Sequence, residues 1–98
     1  MPFFKIHKSQ SVSILAACDE SIMGKSFHFN GIEIKISEHF YGKNRCSVVE
    51  LEKLMLNAGI INLMGENCVK AAVGIGITNP SNVIYISGGV PHVQIVRE

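Results

Sequence analysis

The sequence has 98 residues, nine Lys and Arg against eight Asp and Glu, a formal net charge of +1, and 47% apolar against 17% charged residues. That length holds one modest core and not two, and the apolar share excludes a disordered chain. The near-zero charge excludes the uniformly basic surface of a dedicated duplex binder, although a local basic patch remains open.

Cys18, Cys46 and Cys68 are single, widely spaced and odd in number, so they form neither a disulfide framework nor a C-x-x-C site. Free thiols point to a reducing, cytoplasmic location. The start, Met1-Pro2-Phe3-Phe4-Lys5, alternates like a strand and lacks the apolar run of a signal peptide. The longest mostly apolar stretch, 58–64, is broken by Gly59 and Asn62 and is too short to span a membrane.

Two strands are expected first, Phe3 to His7 and Ser11 to Ala17, joined by Lys8-Ser9-Gln10. Cys18-Asp19-Glu20 ends the second, and Ser21 to Lys25 reads as one helical turn closed by Gly24, with Asp19 as its cap. Asn30-Gly31 is a turn signal before Ile32 to Ser37, whose isoleucines face one side and whose charges face the other. Glu38 to Arg45 reads as a loop.

Ser47 and Glu50 have the spacing of a capping box, and the helix they open carries Val48, Leu51, Leu54, Met55 and Ala58 on one stripe, with Gly59 to close it. A second, largely buried helix is expected from about Ile60 to Val73, where Gly65, Cys68 and Ala72 share one small-residue face. After the turn Asn79-Pro80-Ser81-Asn82, strands Val83 to Ser87 and Val90 to Arg97 flank Gly88-Gly89, a two-residue hairpin signal.

That turn would pair Ser87 with Val90, Ile86 with Pro91 and Tyr85 with His92. Ile84, Ile86, Pro91, Val93 and Ile95 would then face the core, while Tyr85, His92 and Gln94 face solvent. Pro91 would mark a sheet edge or a bulge. A one-residue slip would send His92 to the other face. The fold expected is a single α+β domain over residues 1–98, a two-layer sandwich with a mainly antiparallel sheet and two helices packed on one face.

Four landmarks stand in register along the chain: Ala16-Ala17-Cys18-Asp19-Glu20 with Gly24-Lys25, Glu38-His39-Phe40-Tyr41-Gly42, Asn62-Leu63-Met64-Gly65-Glu66, and Gly88-Gly89-Val90-Pro91-His92-Val93-Gln94. In that order the sequence resembles the small archaeal proteins grouped as domain of unknown function 424. The resemblance covers nearly the whole chain. It implies a cytoplasmic, stand-alone α/β sandwich and tilts expectation towards translation or RNA handling. It brings no activity, ligand or catalytic residue.

The first candidate site is the last hairpin, Tyr85, Gly88, Gly89, Pro91, His92 and Gln94, where a phenol, an imidazole and an amide on one sheet face could meet single-stranded RNA. Tyr41, Lys43 and Arg45 form a mixed aromatic and basic patch suited to stacking and phosphate contact. The bland alternatives are a solvated sheet face and an ordinary loop with Phe40 in the core.

Cys18, Asp19, Glu20 and Lys25 at the end of a strand are secondary candidates. The neighbouring carboxylates raise a thiol pKa, however, which favours a buried inert cysteine. His7, His28, His39 and His92 stand at no recognised ligand spacing, so neither metal nor cofactor is expected, and no glycine pattern forms a nucleotide loop. The leading expectation is a non-enzymatic module contacting RNA or a ribonucleoprotein. A protein-interaction or homo-oligomer module comes second, and a small enzyme using His92 with Cys18 or Asp19 third.

Overall fold

The computed structural model describes residues 1–97. In chain order the elements are β1 (Phe3–Lys8), β2 (Ser13–Cys18), a 3-10 turn (Glu20–Ile22), β3 (Ser26–Phe29), β4 (Ile32–Lys35), α1 (Glu38–Tyr41), β5 (Asn44–Arg45), α2 (Val48–Asn57), β6 (Ile60–Met64), α3 (Glu66–Gly74), β7 (Ile84–Ile86) and β8 (Val90–Val96). Six strands form one sheet in the order β5-β1-β2-β6-β8-β7, and β3 with β4 makes a separate hairpin. All neighbours in the large sheet run antiparallel except the central pair, β2 and β6.

The capping box forms as expected. Glu50 N–H donates to Ser47 Oγ at 3.1 Å, and Ser47 N–H donates to Glu50 Oε1 at 2.8 Å. The helix stops at Asn57, and Ala58, in extended geometry, leads the chain out, so Gly59 is not the cap. The segment that follows corrects the sequence reading. Ile60–Met64 is a strand, and the helix begins only after Gly65. Lying between β2 and β8, β6 buries Ile61 and Leu63 on one face and Met64 on the other, with Ile60 and Asn62 half-buried. Four apolar residues in five read as a buried helix as readily as a strand. Another correction is α1, where Ser37 Oγ accepts from Phe40 N–H at 3.2 Å and winds one turn out of the expected loop.

Both longer helices pack on one face of the sheet, as expected. Leu15, Ala17, Ile61, Leu63, Val93 and Ile95 meet Leu51 and Met55 of α2 and Cys68, Val69 and Ala72 of α3. Each large side chain fully buried there contributes about 1.5–3 kcal/mol. The opposite face is half covered as well. Ala16, Cys18, Met64 and Ile86 lie beneath the β3–β4 hairpin and α1, which contribute Phe27, Ile34 and Tyr41, together with Ile36 just after β4. Asn30 (φ 51) and Gly31 (φ 78) make the expected tight turn of that hairpin.

The last hairpin is shifted by one residue from expectation. Its loop is Ser87-Gly88-Gly89, with both glycines at positive φ, so Ile86 pairs with Val90, Tyr85 with Pro91 and Ile84 with His92. Partners in an antiparallel pair share a face. Tyr85 therefore joins Pro91, Val93 and Ile95 on the helix face, while Ile84 and Ile86 join His92 on the other. Pro91 is not at an edge, since β8 is flanked by β6 and β7. Its carbonyl accepts from Gly65 N–H at 2.9 Å where β6 ends, so the missing proline N–H removes only a terminal ladder bond.

Candidate functional site

The register fixes which residues share the half-open face. Across β1, β2, β6 and β8, one row reads Lys5, Ala16, Asn62 and Gln94, and another reads His7, Ile14, Ile60 and Val96. A third runs Phe3, Cys18, Met64 and His92, continuing to Ile84 on β7. The hairpin layer covers the Cys18–Met64 end and leaves Gln94, Val96 and Ile84 exposed, with His92, Asn62, Ile60 and Ile14 half-buried.

On this face the hydrogen-bonding groups are oriented. His92 Nδ1 lies 2.9 Å from Leu63 O. A carbonyl only accepts, so Nδ1 carries the proton and the neutral ring presents Nε2 as an acceptor. Tyr41 O–H donates to Asn62 Oδ1 at 2.8 Å, leaving the Asn62 amide N–H groups unengaged among the described residues. Gln94 stands directly across from Asn62. Farther along, His7 Nε2 donates to Phe40 O at 2.8 Å, and the two rings stack with centroids 5.1 Å apart.

His92 and Gln94 are thus together, but Tyr85, 63% exposed, is on the other face. Tyr41 is buried rather than displayed, and burial pushes its phenol above the usual range. Gly88 and Gly89 shape the turn, with Phe27 against Gly88.

Lys43 just precedes β5 and Arg45 lies within it, at the far edge of the sheet from β7. Four strand spacings of about 4.8 Å put them roughly 19 Å from β8, so they do not assist His92. Lys43 lies 3.9 Å from Glu38. Arg45 pairs with Glu20 at 3.0 Å and stands over the Phe3 ring at 5.0 Å. Glu20 also receives the Met1 ammonium at 2.8 Å, and that bond, with Arg45 behind it, holds its carboxyl below the usual range. Lys25 is exposed, its backbone bonded to Ile22 and Ile36.

Cys18 is fully buried, and desolvation followed by the neighbouring Asp19 charge pushes its thiol up to about 12. Met64 separates it from His92, two strand spacings or about 10 Å away. His7 pairs with Ile14, four residues along β2 from Cys18, or about 13 Å. The pairing of a thiolate with a base that nucleophilic catalysis requires is therefore not assembled.

Asp19 does not cap the short turn after it. Its Oδ2 accepts from Asn67 N–H and its Oδ1 from Cys68 N–H, both at 2.9 Å, so it caps α3 from across the sheet. Asn62 and His7 join the candidate face although the sequence reading did not place them there. The alternation that would have shown Asn62 appears only once 60–64 is read as a strand.

Clefts lie elsewhere. One of about 680 Å³ opens between the start of α2 and the length of α3, lined by Glu20, Glu52, Asn67 and Lys70 among others. Another, about 630 Å³, lies along β1 and is lined by Lys5, Ile6, Glu38, His39, Gly42 and Lys43 among others. Among the described residues no three His, Cys, Asp or Glu side chains converge on a point that could hold a metal, and no helix is long and apolar enough to cross a membrane.

The model of the family described as "Protein of unknown function (DUF424)" matches residues 7–97. The chain belongs to that family. A crystal structure of an uncharacterized conserved protein from the archaeon Methanopyrus kandleri is similar to this DUF424 chain, with a TM-score of 0.80 and 26% identity, over 99% of this chain and 93% of the other. No curated protein matches it.

Proposed function

We propose that this DUF424 protein is a non-enzymatic cytoplasmic binding module whose half-open sheet face holds single-stranded RNA, free or within a ribonucleoprotein. The observation that supports this is the juxtaposition of Asn62, Gln94 and His92. An amide donor, a complete amide and an imidazole acceptor lie side by side between apolar Ile14, Ile60 and Val96. Base edges need such mixed donors and acceptors, and base faces need apolar or ring surfaces like the His7–Phe40 stack. On β1, β2, β6 and β8 the cation of this face is Lys5, and its Nζ donates to His39 O at 2.9 Å. Affinity would rest on hydrogen bonds and stacking more than on phosphate neutralisation.

Fluorescence anisotropy with labelled mixed-sequence oligoribonucleotides tests the proposal. Binding at low salt should weaken only gently as salt rises. His92→Ala and Gln94→Ala should abolish it, and Lys43→Glu should leave it intact. Absence of affinity at low salt removes the proposal.

A second reading is favoured by Val96 and Ile84, 66% and 47% exposed on the same face. Two copies meeting there would form a homo-oligomer. Sedimentation showing one mass over a wide concentration range would eliminate it.

A further inference from the structure

We propose that the outer edge of β1, beyond β5, receives an extended acidic peptide as an added strand. The inference needs none of the amide and imidazole groups of the RNA-binding face, with which it shares only Lys5, and starts from the phase of the β1–β5 ladder. Phe3 pairs with Arg45 and Phe4 with Asn44, and the pairing ends there. Cys46 N–H donates to Pro2 O at 3.0 Å. In an antiparallel ladder alternate residues direct both backbone groups to the same neighbour. Pro2 and Phe4 therefore face β5, and so by phase do Ile6 and Lys8. The odd-numbered residues face β2, which pairs with β1 along its whole length from Phe3 to Lys8.

Beyond Phe4 the edge has no partner strand. The N–H and C=O of Ile6 and Lys8 point outward and make no hydrogen bond to any described residue on that side. A bare edge of this kind is a template for one more strand. It is also concave, because Phe4, Lys5 and Ile6 form one wall of the 630 Å³ cleft and Glu38, His39, Gly42 and Lys43 form the other. A chain lying in that cleft would continue the line of β5 past the point where Gly42 turns away.

The charges choose the partner. Lys5 and Lys8 alternate along the strand to either side of the sheet plane, and Lys43 stands on the opposite wall. The carboxylate of the cleft lining, Glu38, lies 3.9 Å from Lys43. Three ammonium groups against one carboxylate repel basic strands, including the same edge of a second copy, and attract a strand whose side chains alternate with Glu or Asp. Ile6, 41% exposed on the helix side, offers the apolar contact between the two lysines. Single-stranded RNA could meet the lysines but has no backbone groups that complete a β ladder.

The test uses three probes with the whole protein: a peptide alternating Glu and Thr, its Lys–Thr counterpart, and an oligouridylate. Amide exchange is followed by NMR. The Glu–Thr peptide should slow exchange at Ile6 and Lys8 by about tenfold or more, with odd-numbered β1 amides unchanged. Ile6→Pro should keep the fold, because the lost N–H has no partner, yet abolish peptide binding. Lys8→Glu with Lys43→Glu should weaken it by about tenfold. Unchanged exchange at saturating peptide, equal binding of the Lys–Thr peptide, or protection by oligouridylate alone would each overturn the proposal.

Discussion

The carboxyl group of Asp19 fills the space that a side chain at position 65 would need. A Cβ built on Gly65 would lie 2.5 Å from Asp19 Cγ, and Gly65 has φ +108. The closeness follows from the parallel pairing of β2 and β6, which brings Cys18 beside Met64 and sets Asp19 against the start of α3. A helix whose own N-cap is a glycine thereby gains a carboxylate from 46 residues earlier in the chain, since Asp19 and Gly65 differ by that number.

Asp19→Ala removes both bonds to the first turn of α3 and should destabilise the protein by about 1–3 kcal/mol. Gly65→Ala combines a disfavoured backbone with a clash and should cost about as much or more. The double substitution should cost less than the sum, because removing the carboxyl group removes the clash. Thermal denaturation measures this cycle, each kcal/mol shifting the midpoint by about 4–8 °C in a domain of this size. Strict additivity would contradict the close approach.

Tyr41 and Asn62 should behave as a pair. Asn62→Leu leaves a buried phenolic O–H without its acceptor and should cost about 1–3 kcal/mol, whereas Asn62→Leu combined with Tyr41→Phe should recover most of that loss. Urea denaturation of the single and double variants checks the recovery.

Alkali should destabilise the protein through its buried thiols. Burial first, and the Asp19 charge second, raises the thiols of Cys18, to about 12, and of Cys68. An unfolded thiol loses its proton from about pH 9 while the folded one keeps it, so the native state binds more protons and stability falls as pH rises. For Cys18 the stabilisation is fully present below pH 9 and lost between there and about pH 12, and for Cys68 the loss runs in the same direction. Each of these two thiols should contribute a slope of about 1.4 kcal/mol per pH unit within that window. The urea midpoint from pH 7 to pH 10.5 should therefore bend downward near 9, and Cys18→Ala should soften the bend. A flat profile would contradict it.

Thiol accessibility gives a separate expectation. All three cysteines are buried and free, so alkylation at neutral pH should require unfolding and proceed at the rate of opening. Labelling followed by mass spectrometry, with and without urea, distinguishes this from direct surface reaction.

Where signals were local, the sequence carried the fold. The Ser47–Glu50 box, the Asn30-Gly31 turn and the strand that opens at Ile32 depend on neighbours within a few residues and appear in the structure, although the strand stops at Lys35 and Ile32 stays exposed. Ile60–Met64 was not legible as a strand, because burial on both faces erases period 2. The register of the last hairpin turned on whether Ser87 belongs to the strand or the turn, and that single residue decides the face of Tyr85. At the candidate face, His92 and Gln94 could be read from the sequence. Their neighbour Asn62, 30 residues before His92, comes to them only through the β6–β8 pairing.

The parallel pair at the centre of the sheet also bears on the birth of the molecule. Between β2 and β6 the chain builds a hairpin over one face of the sheet and a helix on the other, so the inner side of β2 finds its partner only after residue 64 has been made. Until then β1 and β2 pair only with each other and with the two-residue β5, and so small a sheet is marginal in water. Closing the core waits on contacts distant in sequence, the kind that slow folding. As the nascent chain leaves the ribosome, its earliest strands are the ones in greatest need of shelter.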